Sequence, residues 1–349
     1  EVVNNGNTLQ GLWVTSASDI WAVGGYGSIL HHDGGQWTWH DAHTTVGLYA
    51  VWAGGANDVW AGGTSGTILH YNGTAWYPVS SGSTARVNAL WGSGANDIWG
   101  ACSGGTLLRY NGVSWAGVPS GATSDLTALW GSSASDVWAV GSGGTILHYD
   151  GTSWSRVTSP TTSSLYAVWG SSASDIWAAG SGGVLLHYDG TAWSSATSPT
   201  TTLISAVWGS SASDVWAAGS GGVLLHYDGT AWATQTSFSS DWISSLAGTS
   251  ASAVWAVGAK GTVYNYGGGA WTKQREATFT ESLSAIYGRS STDILVGGSG
   301  GTLVRYDGST WSAMVRTACF HWRPRAGRGA WMRPCRSAKR RSSPPSPRC

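Results

Sequence analysis

Leu-Tyr-Ala-Val-Trp-Gly-Ser-Ser-Ala-Ser-Asp-Ile-Trp-Ala-Ala-Gly-Ser-Gly-Gly-Val-Leu-Leu-His-Tyr-Asp-Gly-Thr-Ala-Trp-Ser-Ser-Ala occupies residues 165–196. Four strand-length segments stand in it: Leu165 to Gly170, Asp175 to Gly180, Val184 to Tyr188 and Ala192 to Ala196. Each is rich in β-branched, aromatic or Ala residues, and each is bounded by Ser and Gly. The Asp-Gly at 189 and 190 is a strong hairpin signal. The stretch therefore predicts four antiparallel strands joined by tight turns. Helical repeats are excluded, because Gly and β-branched residues interrupt every window in which a 3.6-residue period could develop.

Working outward, the same unit recurs along the chain. Trp13, Trp52, Trp91, Trp130, Trp169 and Trp208 stand 39 residues apart, and two further steps land on Ala247 and Tyr287. A second series, Trp21, Trp60, Trp99, Trp138, Trp177, Trp216 and Trp255, follows eight residues later, with Leu295 in the last copy. A third, Trp37, Trp76, Trp115, Trp154, Trp193, Trp232, Trp271 and Trp311, is complete. Of 25 Trp, 21 are in register. Four strands in a period near 40 mark a propeller blade, so the expectation is an all-β propeller of eight blades over 1–315, with seven or nine as alternatives. The residues before the first repeat, Glu1 to Val3, align with the end of a preceding outer strand and suggest a longer array or a strand that helps close the ring.

The in-register Trp are read as core. Each buries about 200 Å², which at about 25 cal/mol per Å² contributes several kcal/mol to packing between blades. The Asp series at 19, 58, 97, 136, 175, 214 and 293 is read as Asx-type caps accepting backbone N–H groups. The Asp or Asn at 33, 72, 111, 150, 189, 228 and 307 suits a hairpin position with φ > 0. One His per repeat, at 31, 70, 148, 187 and 226, puts the imidazoles too far apart to share an ion. His40, Asp41 and His43, the one local cluster, are read as solvated. No metal or cofactor is expected, and Cys102 is read as a small buried hydrophobe.

At this level the hairpin Gly-Gly-Thr-Ile-Leu-His-Tyr-Asp-Gly-Thr-Ser-Trp (143–154) resembles the Asp-box, or BNR, hairpin of sialidase-like propellers and of photosystem II assembly-factor propellers. It is also similar to Trp-rich propeller repeats of secreted bacterial proteins such as those of myxobacteria. The likeness spans 10–315 and departs from the Asp-box spacing by lacking the residue between Asp and Gly. It implies the fold and a place outside the cell or at its surface. It does not carry chemistry with it.

Charge and composition bound the function. Asp, Glu, Lys and Arg make 10% of the 349 residues, and Gly numbers 52. Residues 316–349 hold nine Arg and Lys339 without an acidic residue, so 1–315 carry the other 8 basic residues against 18 acidic ones, a balance of −10. An acidic body without a basic stripe argues against nucleic acid as partner, and no apolar run is long enough for membrane insertion. The basic tail reads either as the product of a shifted reading frame, the favoured alternative, or as an interaction tail, without regular structure in both cases. Glu occurs in the body only at 1, 276 and 281, which leaves no glycosidase carboxylate pair outside the repeated Asp. A sialidase-like hydrolase is accordingly the least favoured reading, and no catalytic residue is assigned.

The expectation is a monomeric, non-enzymatic recognition module, lectin-like, whose equivalent sites gain avidity on a glycan. A protein-interaction or assembly scaffold is the alternative. The repeats diverge in the connections from outermost to next innermost strand and in the second turn of each blade, which share one rim. Candidate ligand-binding residues there are Trp242 and Asp241 with Lys260 and Glu281 of the following repeats, and Arg86 and Tyr26 elsewhere on the rim. Against this, Trp242 is read as filling the space left by the Trp missing at Ala247.

Overall fold

The computed structural model describes residues 3–4, 7–16, 19–33, 37–235, 240–274, 281–314 and 316–317. Eight four-stranded antiparallel sheets follow one another around a ring, each built from one uninterrupted repeat. Blade 5 is representative, with strands Leu165–Ser172, Asp175–Gly180, Leu185–Tyr188 and Trp193–Ser195 from the channel outward. The eight blades of the expectation are thus observed. The second strand of each blade is almost wholly buried, whereas the innermost is half exposed to the channel. Burial on both faces therefore falls on the second strand, and that is where Asp-Ile/Val-Trp-Ala-Val/Ala-Gly stands.

Two devices hold neighbouring blades together. The first is aromatic: Trp177 stacks on His187 of its own blade at 4.3 Å, then meets Tyr227 at 4.8 Å and the edge of Trp232 at 5.1 Å, both from blade 6. Blades 1, 2, 4 and 6 repeat this set with small variations. The second is an interlock between the innermost Trp and a Gly of the next blade. A Cβ on Gly170 would lie 2.7 Å from the Trp130 ring, and one on Gly209 would lie 2.4 Å from Trp169. The channel side is where two blades come closest, so an indole fits there only against a residue without a side chain. This explains why Trp-Gly recurs as a dipeptide.

A ring of hydrogen bonds adds to the packing at the start of the innermost strands. The second residue of each such strand sits at a β-bulge. From it Asn88 Nδ2 donates to the Leu126 carbonyl of the next blade at 2.7 Å, Thr127 to Leu165 at 2.7 Å, Ser205 to Ile243 at 3.0 Å and Ser244 to Leu283 at 2.6 Å. Ser284 donates to Leu9 and so joins blade 8 to blade 1. Leu9, Val14, Ile20 and Trp37 pack there against Leu295 and Leu303. Val3–Asn4 also pairs, in parallel, with Arg316–Thr317 in a two-stranded sheet of its own; of the anticipated strand Glu1 to Val3, residues 1–2 lie outside the described residues. The expectation for the tail concerns residues that, from 318 onward, lie outside the described residues. No helix among the described residues is long and apolar enough to cross a membrane.

Candidate functional site

The two rims carry different chemistry. One holds the first and third turns of each blade and is nearly the same in all copies. There the network Asp does not cap a backbone turn as expected. Asp136 Oδ1 accepts the Trp138 indole N–H at 3.0 Å and the His148 Nε2–H at 2.7 Å, and its Oδ2 accepts the Ser132 hydroxyl at 2.5 Å. An ionised carboxylate can only accept, which fixes the proton on Nε2. Asp19, Asp58, Asp175 and Asp214 hold His31, His70, His187 and His226 in the same way. Each histidine is spent on its own blade's carboxylate, and among the described residues no group of His, Cys, Asp and Glu could hold a metal.

The Asx role belongs to the other Asp series. Asp189 Oδ1 accepts the backbone N–H of Thr191 at 2.9 Å and of Ala192 at 3.0 Å, and positive φ falls on Gly190 instead, at +91°. The Thr191 hydroxyl and these N–H groups hold the Asp189 carboxyl at about 2. Asp150 and Asp228 are held at about 2 in the same manner. The sequence pattern identified both series as structural but gave the Asx role to the wrong one and left the network unforeseen, since a side-chain network across three strands leaves no local signature. Cys102 is fully buried and its thiol is pushed up to about 12, as an inert core residue requires.

The opposite rim holds the second turn of each blade and the connections between blades, and there the copies differ. In the second turn the middle residue is left-handed in every blade, and five blades place Gly there. Tyr26, Ser65 and Lys260 occupy it in the others at φ of 53°, 55° and 54°. A side chain there is strained by about 1 kcal/mol or more, and Tyr26 projects into solvent, 74% exposed. The Lys260 ammonium reaches Asp241 at 2.7 Å.

Trp242 is 52% exposed and donates its indole N–H to Ser205 on the innermost strand of blade 6 at 3.0 Å. It stands at this rim, whereas Ala247 lies five residues further along the strand, buried with Trp255 and Ile286. The reading that Trp242 replaces the missing indole is therefore overturned: the vacated space is closed by blades 7 and 8 themselves.

Of the six candidates the structure joins three, Trp242, Asp241 and Lys260, at one place. Glu281 lies one blade further on, its carboxylate 3.5 Å from the Ser299 hydroxyl. Arg86 is across the ring on blade 3, where its guanidinium bonds Asn88 at 2.7 Å and lies 5.4 Å over the Tyr49 ring. Tyr26 belongs to blade 1.

Sequence reasoning missed Tyr49 and Tyr166. They occupy the bulge position that carries Ser, Thr or Asn in five other blades, so no bond to the next blade is made from them, and Tyr166 is 38% exposed at the channel mouth. The signal available was that column of the repeat, where two Tyr break a run of small polar residues.

No family model matches the chain and no curated protein matches it, and the resemblance to the Asp-box propellers is not confirmed. Solved propellers do match. The chain is similar to YCF48 bound to D1 peptide, at 17% identity over 87% of this chain and 93% of that one, with a TM-score of 0.58. It is similar to the computationally designed Ika8 protein, at 18% identity over 87% and 97%, with a TM-score of 0.75. The C-terminal WD40 domain of Sif2 matches at 11% identity over 88% and 99%, with a TM-score of 0.68. These likenesses establish the propeller class. At such identities they show fold alone.

Proposed function

We propose that this propeller is a non-enzymatic protein-interaction scaffold that seats a peptide or loop of its partner across the channel mouth on the variable rim. One observation carries the reading: the exposed aromatic and charged side chains peculiar to single blades, Tyr166, Trp242, Lys260 and the Arg86–Tyr49 pair, gather on that rim. Lys260, like Tyr26 elsewhere on the rim, is kept in a backbone conformation that favours Gly. Exposed Tyr, Trp and Arg are the side chains that dominate protein recognition. A lectin built from the repeat needs equivalent free polar groups in every blade, and the repeated Asp, His and Ser are consumed by bonds within the blade. YCF48, a propeller similar to this chain, has been solved bound to D1 peptide, which supports this choice over carbohydrate.

The test is selection of a phage-displayed random peptide library on the full chain, with a glycan array run beside it. We expect an enriched peptide family whose affinity falls at least tenfold in Trp242→Ala or Tyr166→Ala. No enriched peptides, or peptides indifferent to both substitutions, would reject the reading. Saturable glycan binding at several equivalent sites would restore the carbohydrate alternative.

A further inference from the structure

On the constant rim, among the described residues, blade 8 alone brings a second cation to the network carboxylate. Four residues before the network Asp, blades 3 to 6 carry Ser and blade 1 carries Thr, each giving a hydroxyl to that carboxylate. Blade 8 carries Arg289 there. Its carboxylate, Asp293, is already gripped by Arg305, which stands in the histidine position and makes bonds of 2.8 and 3.1 Å to the two oxygens. Arg289 also reaches Asp293 through Nη2, so two guanidiniums share one carboxylate.

The surplus cation is deeply placed. The Arg289 side chain is 9% exposed, its Nε has no hydrogen-bond partner, and Nη1 makes only a 3.4 Å contact to the Ser16 carbonyl. A buried cation without a full counter-charge is costly. Asp19, the nearest network carboxylate of blade 1, is spent on Thr15, Trp21 and His31 and forms no ion pair with Arg289. Burial and then Arg305 hold the Arg289 pKa below its ordinary value. His32 is lowered by burial, then by Arg305 and less by Arg289, against an opposing pull from Asp33.

This guanidinium and the Asp293 carboxylate that it shares with Arg305 stand in the wall of a cavity of about 490 Å³, together with Thr15, Ser16, Tyr287 and Ser290. It opens where blade 8 meets blade 1 because the Trp-Gly interlock is absent there: Tyr287 stands for the indole and Val14 for the glycine.

We propose that this cavity is a carboxylate-binding site in which Arg289 receives the anion among the hydroxyls of the wall. It is independent of the peptide-binding reading, since it lies on the opposite rim. The carboxylate arrives either on a free small acid or on an acidic side chain of a bound protein. Both supply the planar oxyanion that a guanidinium edge recognises.

Calorimetry on the full chain at constant ionic strength tests it, with succinate as the free acid, a blocked Ala-Glu-Ala tripeptide as the side-chain probe, and its Gln counterpart as control. Arg289→Ser restores the residue of the sister blades and should fold, with a melting temperature equal to or above that of the native chain. We expect one saturable site per chain for succinate or the Glu peptide, at least tenfold weaker in Arg289→Ser, and none for the Gln peptide. The preferred probe identifies the source. No saturable binding of either acid into the tens of millimolar, or equal affinity in Arg289→Ser, overturns the site. A sharply lower melting temperature of Arg289→Ser without binding by the native chain would instead make Arg289 a structural partner of Asp293.

Discussion

The constant rim and the variable rim are made by the same repeat, yet one spends its polar groups and the other displays them. On the constant rim Asp, His, Trp and a Ser or Thr from three strands satisfy one another in blades 1, 4 and 6, and parts of the same network recur in blades 2 and 5. On the variable rim single blades carry Tyr, Trp, Lys or Arg that bond little and project outward. A repeat can thus hold its fold in one set of turns while the other set drifts toward recognition. The difference predicts that damage to the first set costs stability and damage to the second costs binding.

The largest effect should come from Trp138→Ala, which empties the wedge between blades 4 and 5. A loss of about 3–5 kcal/mol in chemical denaturation is expected, and a loss comparable with that of Trp242→Ala would break the comparison. Asp136→Ala should cost about 1–3 kcal/mol, because it strands the Ser132, Trp138 and His148 donors. Gly170→Ala should cost about 1–3 kcal/mol by driving a methyl into Trp130. On the other rim Lys260→Gly should raise stability by about 0.5 kcal/mol through relief of the left-handed strain, while weakening the selected peptides. A stability loss there would make Lys260 structural.

The smallest effect is on acid stability. Asp150, Asp189 and Asp228 titrate at about 2 in the folded chain against an ordinary 3.8. The unfolded chain therefore binds more protons between those values, so their contribution is present above about pH 4 and lost as pH falls toward 2. Replacing all three by Asn should flatten the denaturation midpoint across that window and leave it unchanged at neutral pH.

Much of this was legible beforehand. The Trp spacing, the Asp-Gly hairpins and the four segments per unit gave blade number and strand count, because a period is written locally and repeated eight times. The candidate site was legible only in part. Trp242, Asp241 and Lys260 could be chosen as departures from the repeat, and they do meet. Glu281, Arg86 and Tyr26 are departures too, but the ring sets them on other blades. Tyr166 and Tyr49 escaped notice because a bulge decides that their side chains face the channel mouth, and register is invisible in a strand read alone.

The sequence by itself determined that eight copies of a four-stranded unit must stack, since each copy exposes indoles that only a neighbour can bury. It also determined which turns vary. The tertiary structure alone decided which carboxylate serves which donor, that Trp242 faces solvent while Ala247 is enclosed, and that blade 8 meets blade 1 with one guanidinium too many. Those outcomes depend on contacts between residues tens to hundreds of positions apart, and no local pattern in a chain specifies what it will touch after the ring has closed.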